Sequence, residues 1–167
     1  MTIGMTKERR RRMALEQMKL VRYHYARLQT EYEAATGSHG MVSVWGRVGG
    51  GDGRIAKPTQ EQALSAISAE DHMKAMLRWF ECIRETCLRL KARGGKSAAL
   101  WRHHLILARA LQLYVFQQAD AEVMALMLGA PKKLNRARVT GILREAADEV
   151  AKDAEQAGLF REGEAAS

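Results

Sequence analysis

The stretch Leu126–Val150, LMLGAPKKLNRARVTGILREAADEV, carries the first structural signal in the chain. Its apolar run stops at Gly129, a proline and two lysines follow, and Asn135 then precedes Val139, Ile142, Leu143, Ala146 and Val150 at helical spacing. Asparagine suits a helix N-cap because its side-chain oxygen can take up an orphan backbone N–H. The segment is thus a turn followed by a long helix. Upstream, DAEVMALMLG at Asp120–Gly129 predicts a short helix capped by Asp120, with Val123, Met124, Met127 and Leu128 apolar. Short helix, glycine-containing connection and longer helix, over about 120–157, is the order of a helix-turn-helix. Lys132, Lys133, Arg136, Arg138 and Arg144 gather here with no acid among them, so the second helix begins basic. A basic leading end is what a DNA-reading element needs; a solvated basic helix face is the plain alternative.

Working outward, the chain predicts an all-α fold. A helix over Ser97–Gln117 would place Leu100, His104, Leu107, Leu111 and Tyr114 on one face, and Gly94 and Gly95 before it can take a left-handed conformation that ends the preceding helix. Thr6–Ala35 carries Ala14, Met18, Val21, Tyr25, Leu28 and Tyr32 at alternating steps of four and three, an a/d seam. The tract Thr59–Ala92 repeats it with Met73, Met76, Phe80, Ile83, Cys87 and Leu90. Both tracts expect a partner helix, either a coiled-coil-like pairing within one molecule or a dimer seam. Thr59 with Gln62 after Pro58 forms a capping box, and Ser68 with Asp71 suggests that the second helix breaks and restarts.

Between the tracts lies TGSHGMVSVWGRVGGGDGRIAKP, Thr36–Pro58, with half of the chain's 14 glycines. A connection of this length is uncommon inside a compact domain. The expected organisation is therefore a basic arm and amphipathic helix over 1–35, a Gly-rich linker over 36–58, and a helical domain over 59–167.

With 27 Lys+Arg against 19 Asp+Glu the formal charge is +8, which makes an extended polyanion the natural first partner. Arg9–Arg12 could form a basic arm that touches nucleic acid or a frayed, solvated terminus. No segment is apolar over the length a bilayer span needs, and Glu16, Gln17 and Lys19 interrupt any leader-like core, so no membrane association and a cytosolic location are expected. Cys82 and Cys87, at i and i+5, read as small core or surface residues and not as a disulfide or zinc pair.

The catalytic readings fail on their spacing. RGGKS at Arg93–Ser97 has Leu90 where a phosphate-binding loop needs glycine, and an apolar helix where it needs a strand. The GGGDG run has no strand before it. His24, His39, His72, His103 and His104 form no i, i+4 pair and no HExxH pattern, which leaves only a metal site assembled from distant histidines. No nucleophile stands beside a base in a recognised setting. A binding protein without cofactor or metal is expected, not an enzyme.

The order of parts resembles the RinA/ArpU-type transcriptional regulators of phages and prophages. The matching pieces are YHYARLQTEYEAATG, the glycines Gly49–Gly51, KPTQEQAL from Lys57, LQLYVFQQADAEVMALMLGAP, and the terminal ILREAADEVAKDAEQAGLF. That resemblance implies a sigma-factor region-four-like helix-turn-helix and activation of late genes in a bacterial host, with double-stranded DNA as partner. It also implies amino-terminal helices serving a homo-oligomer or RNA polymerase. Asn135, Arg136 and Arg138 would be base readers, and Lys132, Lys133 and Arg144 phosphate holders. A small terminase-like packaging subunit and an antitermination factor docking on polymerase are the other assignments compatible with the same features.

Overall fold

The computed structural model describes the backbone of residues 5–36 and 60–160 and the side chains of residues 5–35 and 70–160. The Gly-rich linker and the capping box at Thr59 and Gln62 lie outside them. Among the described residues there are six α-helices and no strand: α1 (Lys7–Tyr23), α2 (Tyr25–Thr36), α3 (Gln60–Lys91), α4 (Ala98–Leu111), α5 (Ala121–Gly129) and α6 (Arg136–Gln156). A π-helical segment, Gln112–Phe116, continues α4. The chain divides into two compact units, residues 1–25 with 78–167, and residues 26–77. In the smaller unit Leu28 is fully buried, and Gln29 Nε2 donates to Glu33 Oε1 at 2.7 Å.

The larger unit is a helical bundle in which α6 is packed by α1, α4 and α5. Ala14, Met18 and Val21 of the first seam are fully buried, and α1 directs its packing at α6 and the π-helical segment. That part of the seam is satisfied within one chain, so a second copy is not needed to cover it. The carboxy-terminal part of α3, from Arg78, buries Phe80, Ile83, Cys87 and Leu90, as its periodicity predicts. Its hydrogen bonds tie it to α6, where Thr86 Oγ1 donates to Asp153 Oδ2 at 2.7 Å. Ring contacts among Tyr25, Phe80 and Phe116 and between Trp79 and Phe160 fill the same interior.

Several details depart from the sequence expectation. The first tract is two helices, divided at His24. α3 runs unbroken through Ser68, because one good helix former follows another and no proline or glycine interrupts Gln60–Lys91. Leu100 is 45% exposed and so leaves the face assigned to it; the buried residues of α4 are Leu107, Ala108, Ala110 and Leu111. Beyond them the helix widens, with the Gln117 N–H donating to the Gln112 carbonyl at 2.9 Å and Ala119 to Leu113 at 2.8 Å.

Arg9–Arg12 are helical and not a frayed end. They form the first turns of α1, whose N-cap Thr6 accepts from the Arg9 N–H. Arg11 makes a two-bond fork with Asp148 of α6 at 2.7 and 2.9 Å, and Arg10 pairs with Glu155 of the same helix.

Candidate nucleic-acid interface

The turn between α5 and α6 is built by a close backbone approach. Asp120 caps α5 by accepting from the Val123 N–H at 2.8 Å. At the other end the chain folds back, with the Leu134 N–H donating to the Ala125 carbonyl at 3.0 Å and Lys132 to Gly129 at 2.9 Å; the Ala130–Pro131 peptide in this turn is cis. Gly129 does not have a positive φ. It is required for space: a Cβ there would stand 2.7 Å from Leu134 Cγ and 2.9 Å from the Leu134 nitrogen. Asn135 then caps α6, its Oδ1 accepting from the Arg138 N–H at 2.8 Å. The elements span the interval the sequence assigned to a helix-turn-helix.

The two ends of α6 carry opposite charge, and only one end is neutralised. Behind Arg144 come Glu145, Asp148, Glu149, Asp153 and Glu155. Arg11 meets Asp148, Arg89 meets Glu149 at 2.8 Å and Asp153 at 3.0 Å, and Arg10 meets Glu155; His103 lies 3.6 Å from Glu145. Burial alone would raise the Glu149 carboxyl, but hydrogen bonds and charge from Arg89 and Lys152 hold it below its ordinary range. At the leading end, Lys132, Arg136, Arg138 and Arg144 are exposed and have no ion pair among the described residues. Lys133 is different, since it pairs with Glu122 in the first turn of α5.

These cations do not all face one way. Residues two apart on a helix diverge by about 200°. Arg136 accordingly lines a surface concavity of about 350 Å³ with Ala121, Glu122, Ala125, Lys133 and Leu134, whereas Arg138 projects from the other side. Arg138, Gly141 and Arg144 follow at steps of three, about 60° apart, and form one continuous row. Asn135 belongs to the cap: the oxygen that a two-bond contact with adenine would need already accepts the Arg138 N–H. The sequence pattern marked the segment but gave no sign of the Glu122–Lys133 pair or of the row through Gly141. Contacts between residues distant in sequence had to be seen for the first, and the helix phase for the second.

Cys82 and Cys87 are both buried and free. Burial pushes the Cys82 and Cys87 thiols up to about 12, so both stay protonated and unreactive at neutral pH. Among the described residues no three His, Cys, Asp or Glu side chains stand together as a metal site, and no helix is long and apolar enough to cross a membrane. No protein-family model matches the chain, and neither does any curated protein or solved structure.

Proposed function

We propose that the chain is a DNA-binding transcriptional regulator of the RinA/ArpU type, phage or prophage encoded and activating late genes, in which α6 enters the major groove of duplex DNA. The observation that carries this is the division of charge along α6. The acids of its trailing part are met by cations from the bundle, while the exposed cations of its leading part are left to an external partner. An extended anion suits such a cluster, and a helix start with a preceding short helix fits a groove flanked by phosphates. Arg138 reads base edges, Lys132 and Arg144 hold phosphates, and Asn135 fixes the helix start. The protein acts by binding and needs no cofactor.

Arg138→Ala tests the reading. Against a duplex selected by the wild type, the substitution is expected to cost on the order of 1–3 kcal/mol, and less against a scrambled duplex at the same salt. Equal proportional losses on both would make Arg138 a phosphate contact. No loss on either would remove α6 from the interface.

A further inference from the structure

Nothing among the described residues requires residue 141 to be glycine. Gly141 lies inside α6 with no positive φ, and beyond the adjoining backbone of α6 a Cβ built on it meets no atom of the described residues within 4 Å. The other described glycines are each explained: Gly94, Gly95 and Gly158 have positive φ, and Gly129 admits Leu134. A glycine within a helix weakens it relative to alanine, because the unfolded chain gains freedom and the backbone is exposed to water. At Gly141 nothing among the described residues offsets that loss. The residue is flanked along its row by Arg138 and Arg144, two exposed cations that make no ion pair among the described residues.

We propose that Gly141 is the point of closest approach between α6 and the floor of the DNA major groove, with the two arginines reaching to either side of it. This rests on the reading of α6 as the helix that enters DNA. A helix with its side chains is about 10–12 Å across, and the groove about 12 Å wide, so the inward residues set how deeply the helix seats. With only hydrogen at Gly141 the helix axis can descend until its backbone meets the base edges. Arg138 and Arg144, each about 60° from that line, are long enough to reach outward to a guanine edge and to a phosphate as the backbone descends. A methyl group at Gly141 would hold the helix away by about a bond length, roughly 1.5 Å. A base contact lengthened by that amount is no longer a hydrogen bond.

The experiment uses the full-length wild type and Gly141→Ala, followed by thermal unfolding and by titration of two duplexes at one salt concentration. One duplex is selected by the wild type from a random pool, and the other is its scrambled counterpart. Gly141→Ala should unfold at a higher temperature, yet bind the selected duplex about tenfold more weakly, the loss of roughly one good base contact. The scrambled duplex, held by phosphates alone, should lose less. Gly141→Leu should deepen the loss on the selected duplex while the protein remains folded. A Gly141→Ala protein that binds the selected duplex as tightly as the wild type overturns the close approach and leaves DNA binding intact. A lower unfolding temperature overturns it as well, since the glycine would then serve the fold. A wild type that binds no duplex strikes the DNA reading itself and this inference with it.

Discussion

Arg22 adds a cation from α1 to a helix end whose Val115 and Phe116 carbonyls already accept from the Gln118 side chain. The π-helical segment stops at Phe116, and Gln118 follows in the left-handed region with φ 50°. The Arg22 guanidinium donates to the carbonyls of Tyr114 and Ala119 at 2.7 Å each and of Gln118 at 3.2 Å, and it stacks 4.7 Å over the Tyr114 ring. The Tyr114 carbonyl is one that a helix terminus leaves unpaired, those of Gln118 and Ala119 belong to the turn that follows, and a cation is favourable at such an end. Arg22→Ala should lower stability by roughly 1.5–3 kcal/mol in denaturant unfolding, and Arg22→Lys should recover only part, because an ammonium cannot fork across several carbonyls. Wild-type stability in Arg22→Ala would show that water serves those carbonyls equally well. At the turn, the same residue-level argument separates two neighbouring lysines. Lys132 has no ion pair among the described residues while Lys133 faces Glu122. Lys132→Ala should therefore reduce the salt slope of duplex binding by about 0.9, the value for one phosphate contact, with a smaller change for Lys133→Ala. Equal changes for the two would mean that DNA displaces Glu122 without cost.

At the scale of elements, α5, its turn and α6 depend on one glycine for their angle. Gly129→Ala would push a methyl against the Leu134 nitrogen and side chain, and the Leu134 N–H would lose its bond to Ala125. Overpacking of this kind costs on the order of 1–3 kcal/mol, so this variant should melt earlier, the opposite of Gly141→Ala. A variant with unchanged melting would show that Leu134 moves aside freely. Much of this element pair was readable from sequence alone, because caps are local: Asp120 and Asn135 both accept the N–H three residues on, as the pattern requires. Gly129 was readable as a stop but not as a close approach, which depends on a contact five residues away. The buried face of α6, with Val139, Ile142, Ala146 and Val150, followed from its 3.6-residue period. The π-helical turn did not, since its sequence Gln112–Phe116 has the composition of ordinary helix and the Arg22 contacts at its end come from α1, far away in the chain. Nor were the partners of Arg10 and Arg11, which sit more than a hundred residues away in the chain.

Across the larger unit, the helices are joined by charge at one place above all, where Arg89 of α3 meets Glu149 and Asp153 of α6 and Thr86 adds its hydroxyl to Asp153. His104 of α4 stands in the field of this network. Its Nδ1 is buried with no hydrogen-bond partner among the described residues. Burial, helped by Lys96, Arg89 and His103 against the opposing Glu149, lowers its pKa from the ordinary 6.5. The fold thus favours neutral imidazole, and its contribution to stability is complete above pH 6.5 and declines as pH falls through the lowered folded value. Glu149 acts in the same direction lower on the scale. Its folded pKa lies below the ordinary 4.5, so its contribution is complete above pH 4.5 and is lost as pH falls through the folded value. Acidification should therefore destabilise the protein in two stages, the first beginning below 6.5 and the second below 4.5. His104→Leu should remove the upper stage, because it deletes the only group assigned to it. Arg89→Met should lower stability at neutral pH and flatten the lower stage, since only Lys152 then opposes the burial that pushes the Glu149 carboxyl up. Melting temperatures measured across that range for the three proteins decide both assignments. An upper stage that persists in His104→Leu belongs to another group, and a lower stage unchanged in Arg89→Met means that the α3–α6 pair does not hold the bundle against acid.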